Sequence, residues 1–256
     1  MLRDFLRDYR LLLRNVPSTN VTLFVLSVVL MNLLANKELV SLPYLALDCG
    51  ITLSWVSFLC MDMITKRFGA KASIKISVFA LACNLAVVAL LWLVSLAPGH
   101  WGAYYSSGLA PVDAGLNATF GGSWYVVLGS SISMLLSSVT NSLLNQFIGG
   151  KFAKDSFGTF AARSYASTLV GQLVDNLTFA VIVSHTFFGW TWAQVLGCSV
   201  TGALVELLCE VVLSPIGFRV VRQWERDGVG QAYLDAQGEK DAAPAAVADA
   251  TVAREA

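Results

Sequence analysis

The chain has 256 residues, with 17 Lys+Arg set against 17 Asp+Glu, so it carries no formal net charge at neutral pH. Hydrophobic residues make up 56% and charged residues only 13%, about half the ~25% charge of a soluble domain. The apolar content falls in long separate blocks, which excludes an ordinary soluble domain and indicates an all-α polytopic membrane protein. Zero net charge favours neither an acidic nor a basic partner.

Taken from the start, residues 1–19 form a first unit. Leu2, Phe5, Leu6, Tyr9, Leu12 and Leu13 recur at helical spacing, with Arg3, Arg7, Arg10 and Arg14 on the other side. This predicts a helix lying on the inner leaflet, its arginines beside anionic lipid. A signal peptide is not expected, because this basic segment is itself amphipathic and no small-residue cleavage site follows the next apolar run.

Residues 20–222 form the membrane unit. Six spans are predicted, at about 20–36, 50–65, 74–97, 123–148, 164–188 and 193–217. The basic residues test them independently. Lys66, Arg67, Lys71 and Lys75 lie between spans two and three. Lys151, Lys154 and Arg163 lie between four and five, and Arg219, Arg222 and Arg226 follow six, whereas Lys37 is the only Lys or Arg in the alternate loops. Such alternation predicts six helices with both termini in the cytoplasm. The long loop from Pro98 to Gly122 carries Trp101, Tyr104, Tyr105 and Phe120; it reads either as a lid over an outward mouth or as an interfacial aromatic belt. Residues 223–256 turn polar and then rich in Ala, Asp and Glu, and from about 229 onward predict a disordered tail.

Within the spans, polar side chains recur three or four residues apart, which places them on one helix face. Span one has Asn32 and Asn36, span four Asn141 and Asn145, and span six Glu206 and Glu210. Span five has Thr168, Gln172, Asp175 and Asn176, and Asp175 is its only charged residue between Arg163 and His185. The stretch Ser164 to Ser184 is long enough, at ~1.5 Å per residue, to cross a bilayer core of about 30 Å, with Asp175 near its middle.

Amides and hydroxyls alone read as glue between helices at ~0.6 kcal/mol each, the reading favoured for Asn84, Ser130 and Ser133. An aspartate at mid-membrane costs roughly 2.5–3.5 kcal/mol. Glue does not account for Asp175, Glu206 and Glu210, since no Lys or Arg of the spans lies at similar depth. They must be protonated, hydrated in a cavity or matched by a ligand. For Asp62, Lys66 one turn on supplies an ordinary structural partner. A cavity of carboxylates and amides suits a purine-like base, whose ring N–H and amine groups a carboxylate accepts while Asn or Gln meets carbonyl and ring nitrogen. A proton or cation pathway fits the carboxylates equally. The five cysteines, Cys49, Cys60, Cys83, Cys198 and Cys209, are scattered without a CxxC pair and read as small buried apolar groups. No metal or other cofactor is expected.

Several segments, in this order, resemble the queuosine precursor transporter family, also called the vitamin uptake transporter family. They are Asn32 to Asn36, Phe58 through Asp62 with Thr65-Lys66-Arg67-Phe68-Gly69, Phe120-Gly121 with Val127-Leu128-Gly129-Ser130, the run Ser167 to Asp175 continued by Phe179, and Pro215. The resemblance implies a six-helix importer of 7-deazaguanine bases, cyano- or aminomethyl-deazaguanine or queuine, for tRNA modification, in the plasma membrane (the bacterial inner membrane). It makes Asp175, Gln172 and Asn32 candidate ligand contacts. Tyr125, Asn141 and Glu206 stand where relatives often carry Arg, Asp and Lys, a rewired polar interior. The partners expected are a purine-like small molecule and membrane lipid, with no nucleic acid; a homodimer stays open.

Two other classes compete. A substrate-binding subunit of an energy-coupling-factor importer also has six spans, but resemblance to that class implies two small residues four apart on the first helix, where Ser27 and Met31 stand here. An intramembrane enzyme would need machinery the chain lacks. There is no HExxH and no serine–histidine pair at shared depth, and the two histidines, His100 and His185, fall on the outer side. A proton-coupled carrier of another purine-like metabolite is the remaining alternative.

Overall fold

The computed structural model describes residues 2–149 and 157–238. Helix α1 (Leu2–Asn15) and helix α2 (Ser18–Leu34) meet at Pro17, which has no N–H to continue the ladder, and their axes turn by 105°. A two-stranded antiparallel hairpin follows, β1 (Glu38–Leu42) and β2 (Leu45–Asp48), paired from Leu42↔Leu45 to Glu38↔Asp48 with an irregularity between Glu38 and Val40. The hairpin departs from the all-α expectation. Its strands are short and fall in a loop between two strong helical patterns, so they leave little periodic signal.

Helix α3 (Ile51–Phe68) ends where Gly69 takes φ 85°, a conformation open to glycine at little cost, and its N–H returns to the Thr65 carbonyl at 2.9 Å. Helix α4 (Ala70–Leu96) then runs uninterrupted until Pro98. The aromatic loop is itself folded, as α5 (Gly102–Ser107) and α6 (Ala110–Gly122). The backbone N–H of Trp101 donates to Asp113 Oδ1 at 2.7 Å and its indole N–H to Asn117 Oδ1 at 2.7 Å. Helix α6 packs along α4 and leads, across Ser123 alone, into α7 (Trp124–Gly149). The loop therefore leans on α4, and none of its residues lines the cavities described below.

Helix α8 (Phe157–Phe179) passes into a π-helical segment, Ala180–His185, then the single turn α9 (Thr186–Phe188). Helix α10 (Trp192–Arg226) opens on a capping box of Thr191 and Gln194 and includes Pro215. It runs nine residues' worth of sequence past the span end expected at 217, into the basic stretch that holds Arg219, Arg222 and Arg226.

Three described helices are long and apolar enough to cross a membrane, within Ala70–Leu96, Ala110–Ser137 and Trp192–Leu213, or four if the bent α1–α2 pair is one span. The packing agrees with a lipid surround. On α10, Leu196, Val200, Leu204 and Leu208 repeat every fourth residue and are exposed, while Ser199, Ala203 and Glu206 are buried. Apolar outside and polar inside is the pattern a bilayer solvates. The chain is a helical membrane protein.

Helices α2 and α4 join α3 to α7 on one side, and α10 packed on α8 joins them on the other. The largest apolar cluster lies at the end where the basic residues gather, and includes Leu12 of α1, Phe24 of α2, Ile64 and Phe68 of α3, and Ile76 of α4. It also includes Tyr233, 1% exposed. This overturns the expected disorder for residues 229–238, because residues 231–238 are helical and Tyr233 packs beside Phe68 with ring centroids 6.4 Å apart. One large aromatic in an otherwise polar segment is enough to dock it; residues 239–256 lie outside the described ones. Helix α1 is docked likewise. Leu12 enters the cluster and Asp8 pairs with Lys75, so part of its apolar face meets protein where lipid was expected.

Candidate functional site

Three cavities follow one another along α3. The largest, about 390 Å³, is lined by Phe58, Asp62 and Lys66 of α3, Thr168 and Gln172 of α8, and Glu206 and Glu210 of α10. A second of about 90 Å³ begins under the hairpin, where Asp48, Ser54 and Phe58 meet Asn32, Asp175, Asn176 and Glu206. A third of about 60 Å³ adds Asn84, Ser130 and Ser137 beside Asn32 and Asp175. The first lies in the size range of small-molecule pockets.

Helical periodicity explains how α8 serves them. Thr168 and Gln172, four apart, face the large cavity, and Asp175 and Asn176 one turn further face the second. On α10, Gly202 lies one turn before Glu206. A Cβ there would stand 3.0 Å from Asn176 Nδ2, so the glycine leaves the space Asn176 fills. Asn176 Nδ2 then donates to Glu206 Oε2 at 3.0 Å, and the Ser54 hydroxyl lies within hydrogen-bonding reach of the same carboxyl. The Ser133 hydroxyl stands beside Asp175, whose Oδ1 has no partner.

That orphaned oxygen is not isolated. Both side-chain polar atoms of Gln172, 2% exposed, lack partners, as do Asn32 Nδ2, both amide atoms of Asn84 and Glu210 Oε2. A buried polar group without a hydrogen bond costs about 1–3 kcal/mol, and native interiors keep few of them. They gather on adjoining cavities, where a molecule that enters meets both donors and acceptors.

The structure thus brings together Asn32, Thr168, Gln172, Asp175, Asn176, Glu206 and Glu210. It does not bring Asn36. That amide donates to Ser123 Oγ at 3.1 Å and accepts from Tyr125 Oη at 3.0 Å, and it lines none of the three cavities. Asn36 and Tyr125 form a structural clasp between α2 and α7. The side chains of Asn141 and Asn145 lie outside the described residues. Glu210 also departs from the expectation of acids without a cation at their depth, since Lys66 acts on it as well as on Asp62, 3.7 Å away. Asp62 shares the large cavity, so it is part of its wall as well as an ion-pair partner.

Asp48 is the residue that sequence reasoning missed. It lies outside the helical segments, and the hairpin folds it back over the second cavity, its Oδ1 accepting from the Gly50 N–H at 2.7 Å. Burial pushes its carboxyl up to about 6, against the lowering effect of that backbone N–H. Ser54 was missed as well, and Phe58 stood out only within a family-like segment and not as a contact; their signal was the four-residue spacing Ser54, Phe58, Asp62, the α3 face turned to the cavities. On α2, Ser27 is buried and Met31 is partly buried against the apolar cluster.

A family model described as "Putative vitamin uptake transporter" matches residues 48–220, which contain α3 to most of α10 and every cavity-lining acid. No curated protein and no solved structure matches the chain. A match over more than half the sequence settles the kinship that the ordered motifs suggested: the chain belongs to the vitamin uptake transporter family.

Proposed function

We propose that the protein imports a queuosine precursor, a 7-deazaguanine base such as cyano- or aminomethyl-deazaguanine or queuine, across the plasma membrane for tRNA modification. The supporting observation is the set of unpartnered buried groups, with Gln172 offering one donor and one acceptor, Asn32 a donor and Asp175 an acceptor. A purine-like base presents the complementary pattern on its edges: adjacent ring N–H and amine for the carboxylate, carbonyl and ring nitrogen for the amides. Phe58, at the meeting of the cavities, supplies an aromatic face for the ring.

In this reading α2, α3, α4, α7, α8 and α10 are six spans, with the hairpin outside and the α1, α3–α4 and C-terminal basic residues in the cytoplasm. The decisive experiment measures queuosine in tRNA of cells unable to synthesise it. Each precursor is supplied with and without this protein. Restored queuosine in the presence of the protein supports the reading, and failure with every deazaguanine rejects it. Cysteines placed singly in the hairpin and after Arg226, then labelled from outside, test the orientation; labelling at the second position rejects it.

A further inference from the structure

The large cavity extends to Asp62, Thr65, Lys66 and Gly217, at the basic end of α3, whereas the second is walled by Leu47, Asp48, Gly50 and Ile51, at its hairpin end. Among the described residues, two side chains line both: Phe58 and Glu206. Glu206 is 4% exposed, yet it stands on the partition with one chamber on either side. Phe58 is apolar, so among the described residues Glu206 is the group on this partition able to carry a proton.

Its surroundings are built for that exchange. From α8, Asp175 and Asn176 face it; from β2, Asp48; from α3, Ser54. Cys198 shares the second chamber with it from α10. One turn along α10, Glu210 meets Asp62 and Lys66 of α3 at the basic-end chamber. The π-helical segment, also packed on α10, brings His185 only to its outer end, beside Trp192. Carboxyls therefore continue from Asp48 through Asp175 and Glu206 to Glu210 and Asp62, with Glu206 the link between the two halves. The acids do not stand alone, since Gln172, unpartnered and buried, lines the same chamber as Glu206 and Glu210.

We infer that Glu206 is a proton relay between the two chambers, so that transport through this site is coupled to proton movement. The carboxylate takes a proton from the hairpin-side chamber and, as the carboxyl, releases it to the basic-end chamber, with no net change in the protein after a cycle. A proton fits the ligation better than a metal cation. Asn176 directs an N–H at Glu206, the opposite of a metal's oxygen cage, and among the described residues no group of three or more His, Cys, Asp or Glu is placed to hold a metal ion.

This inference rests on the transport reading for its substrate, and the two can fail separately. Purified protein in lipid vesicles, with a pH-reporting dye inside, is given cyano-deazaguanine outside. The wild type should acidify the lumen as it takes up the base, and an inward acid gradient should speed uptake severalfold. Glu206→Gln keeps an acceptor for Asn176 and should lower the protons moved per base taken up at least tenfold, even where uptake itself is slowed. Glu206→Asp should retain coupling at a lower rate. Uptake without acidification, a requirement for sodium, or acidification unchanged in Glu206→Gln would each overturn the relay.

Infrared difference spectroscopy across a pH titration needs no substrate. A carboxyl band that responds to pH, exchanges with deuterated solvent and disappears in Glu206→Gln supports the relay, and identical spectra overturn it. If that band is present but no deazaguanine is taken up, the substrate assignment falls and the relay stands.

Discussion

Asp175 and Gln172 stand one turn apart on α8, and substitution should separate their roles. Asp175→Asn preserves shape and hydrogen-bonding capacity but removes the charge. Charge-assisted hydrogen bonds are worth about 1.5–3 kcal/mol, so uptake should fall roughly 10- to 100-fold while insertion and yield are unchanged. Normal transport by this variant would remove Asp175 from the site. Gln172→Leu should behave differently. It removes two unpartnered polar atoms from a buried position, so the purified protein should gain about 1–2 kcal/mol and lose binding of the base. A lower melting temperature for Gln172→Leu would show that the amide has structural partners in the folded protein. Function held at the expense of stability is the expected signature of a binding site.

Asp48 offers a pH test. Its carboxyl, at about 6 in the folded protein, lies above the ~3.9 of an unfolded chain. The folded state therefore binds the proton more tightly. Stability from this group is greatest below about pH 4, falls as pH rises through about 6, and stays lower above it. Asp48→Asn keeps an acceptor for the Gly50 N–H and removes the titration. The variant should match the wild type near pH 4 and exceed it by on the order of 2–3 kcal/mol above pH 7. Thermal unfolding in detergent at the two pH values reads the difference, and an equal gap at both would refute it.

At the scale of elements, the hairpin depends on one close approach. A Cβ on Gly197 would stand 2.3 Å from the Tyr44 carbonyl oxygen, a backbone atom with little freedom to retreat. Gln194 Nε2 also holds the Leu42 carbonyl at 2.9 Å, and Ala46 of β2 is fully buried in one cluster with Val195 of α10. Gly197→Ala should lift the hairpin from α10, cost about 1–3 kcal/mol as overpacking does, and shift Asp48 from its cavity. An unchanged melting temperature would mean that the hairpin is not clamped there. The hairpin illustrates why sequence reading reached the helices and not this element. Glu38–Leu42 and Leu45–Asp48 are too short to carry a period of their own, and what fixes them is the flank of a helix about 150 residues away.

Across the whole molecule, both ends of the described chain meet the α3–α4 turn. Asp8 of α1 pairs with Lys75 and accepts from Gln237 Nε2 at 2.6 Å, Arg67 Nε donates to the Val229 carbonyl at 3.0 Å, and Tyr233 fills the space beside Phe68. Tyr233→Ala should cost about 3 kcal/mol, the scale for emptying a buried aromatic site, read as a fall in melting temperature and as proteolytic release of the C-terminal segment. A variant as stable and as protease-resistant as the wild type would show that this contact is peripheral.

The helical membrane architecture and the unusual placing of Asp175, Gln172, Glu206 and Glu210 within apolar helices were legible in the sequence itself. Long apolar blocks have only one economical solution in a bilayer, and ionisable groups inside them stand out because they are costly there. Local periodicity also placed the polar residues of each helix on a shared face. It could not say which faces meet. Asn36 carried the same signal as Asn32, yet the packing of α2 on α7 turned it into a clasp with Tyr125, while Asp48, outside any helical pattern, was folded into the cavity wall. The meeting of Phe58 and Glu206 between two chambers was likewise settled only by tertiary structure. Periodicity is a property of one helix, whereas a cavity exists only where several are packed.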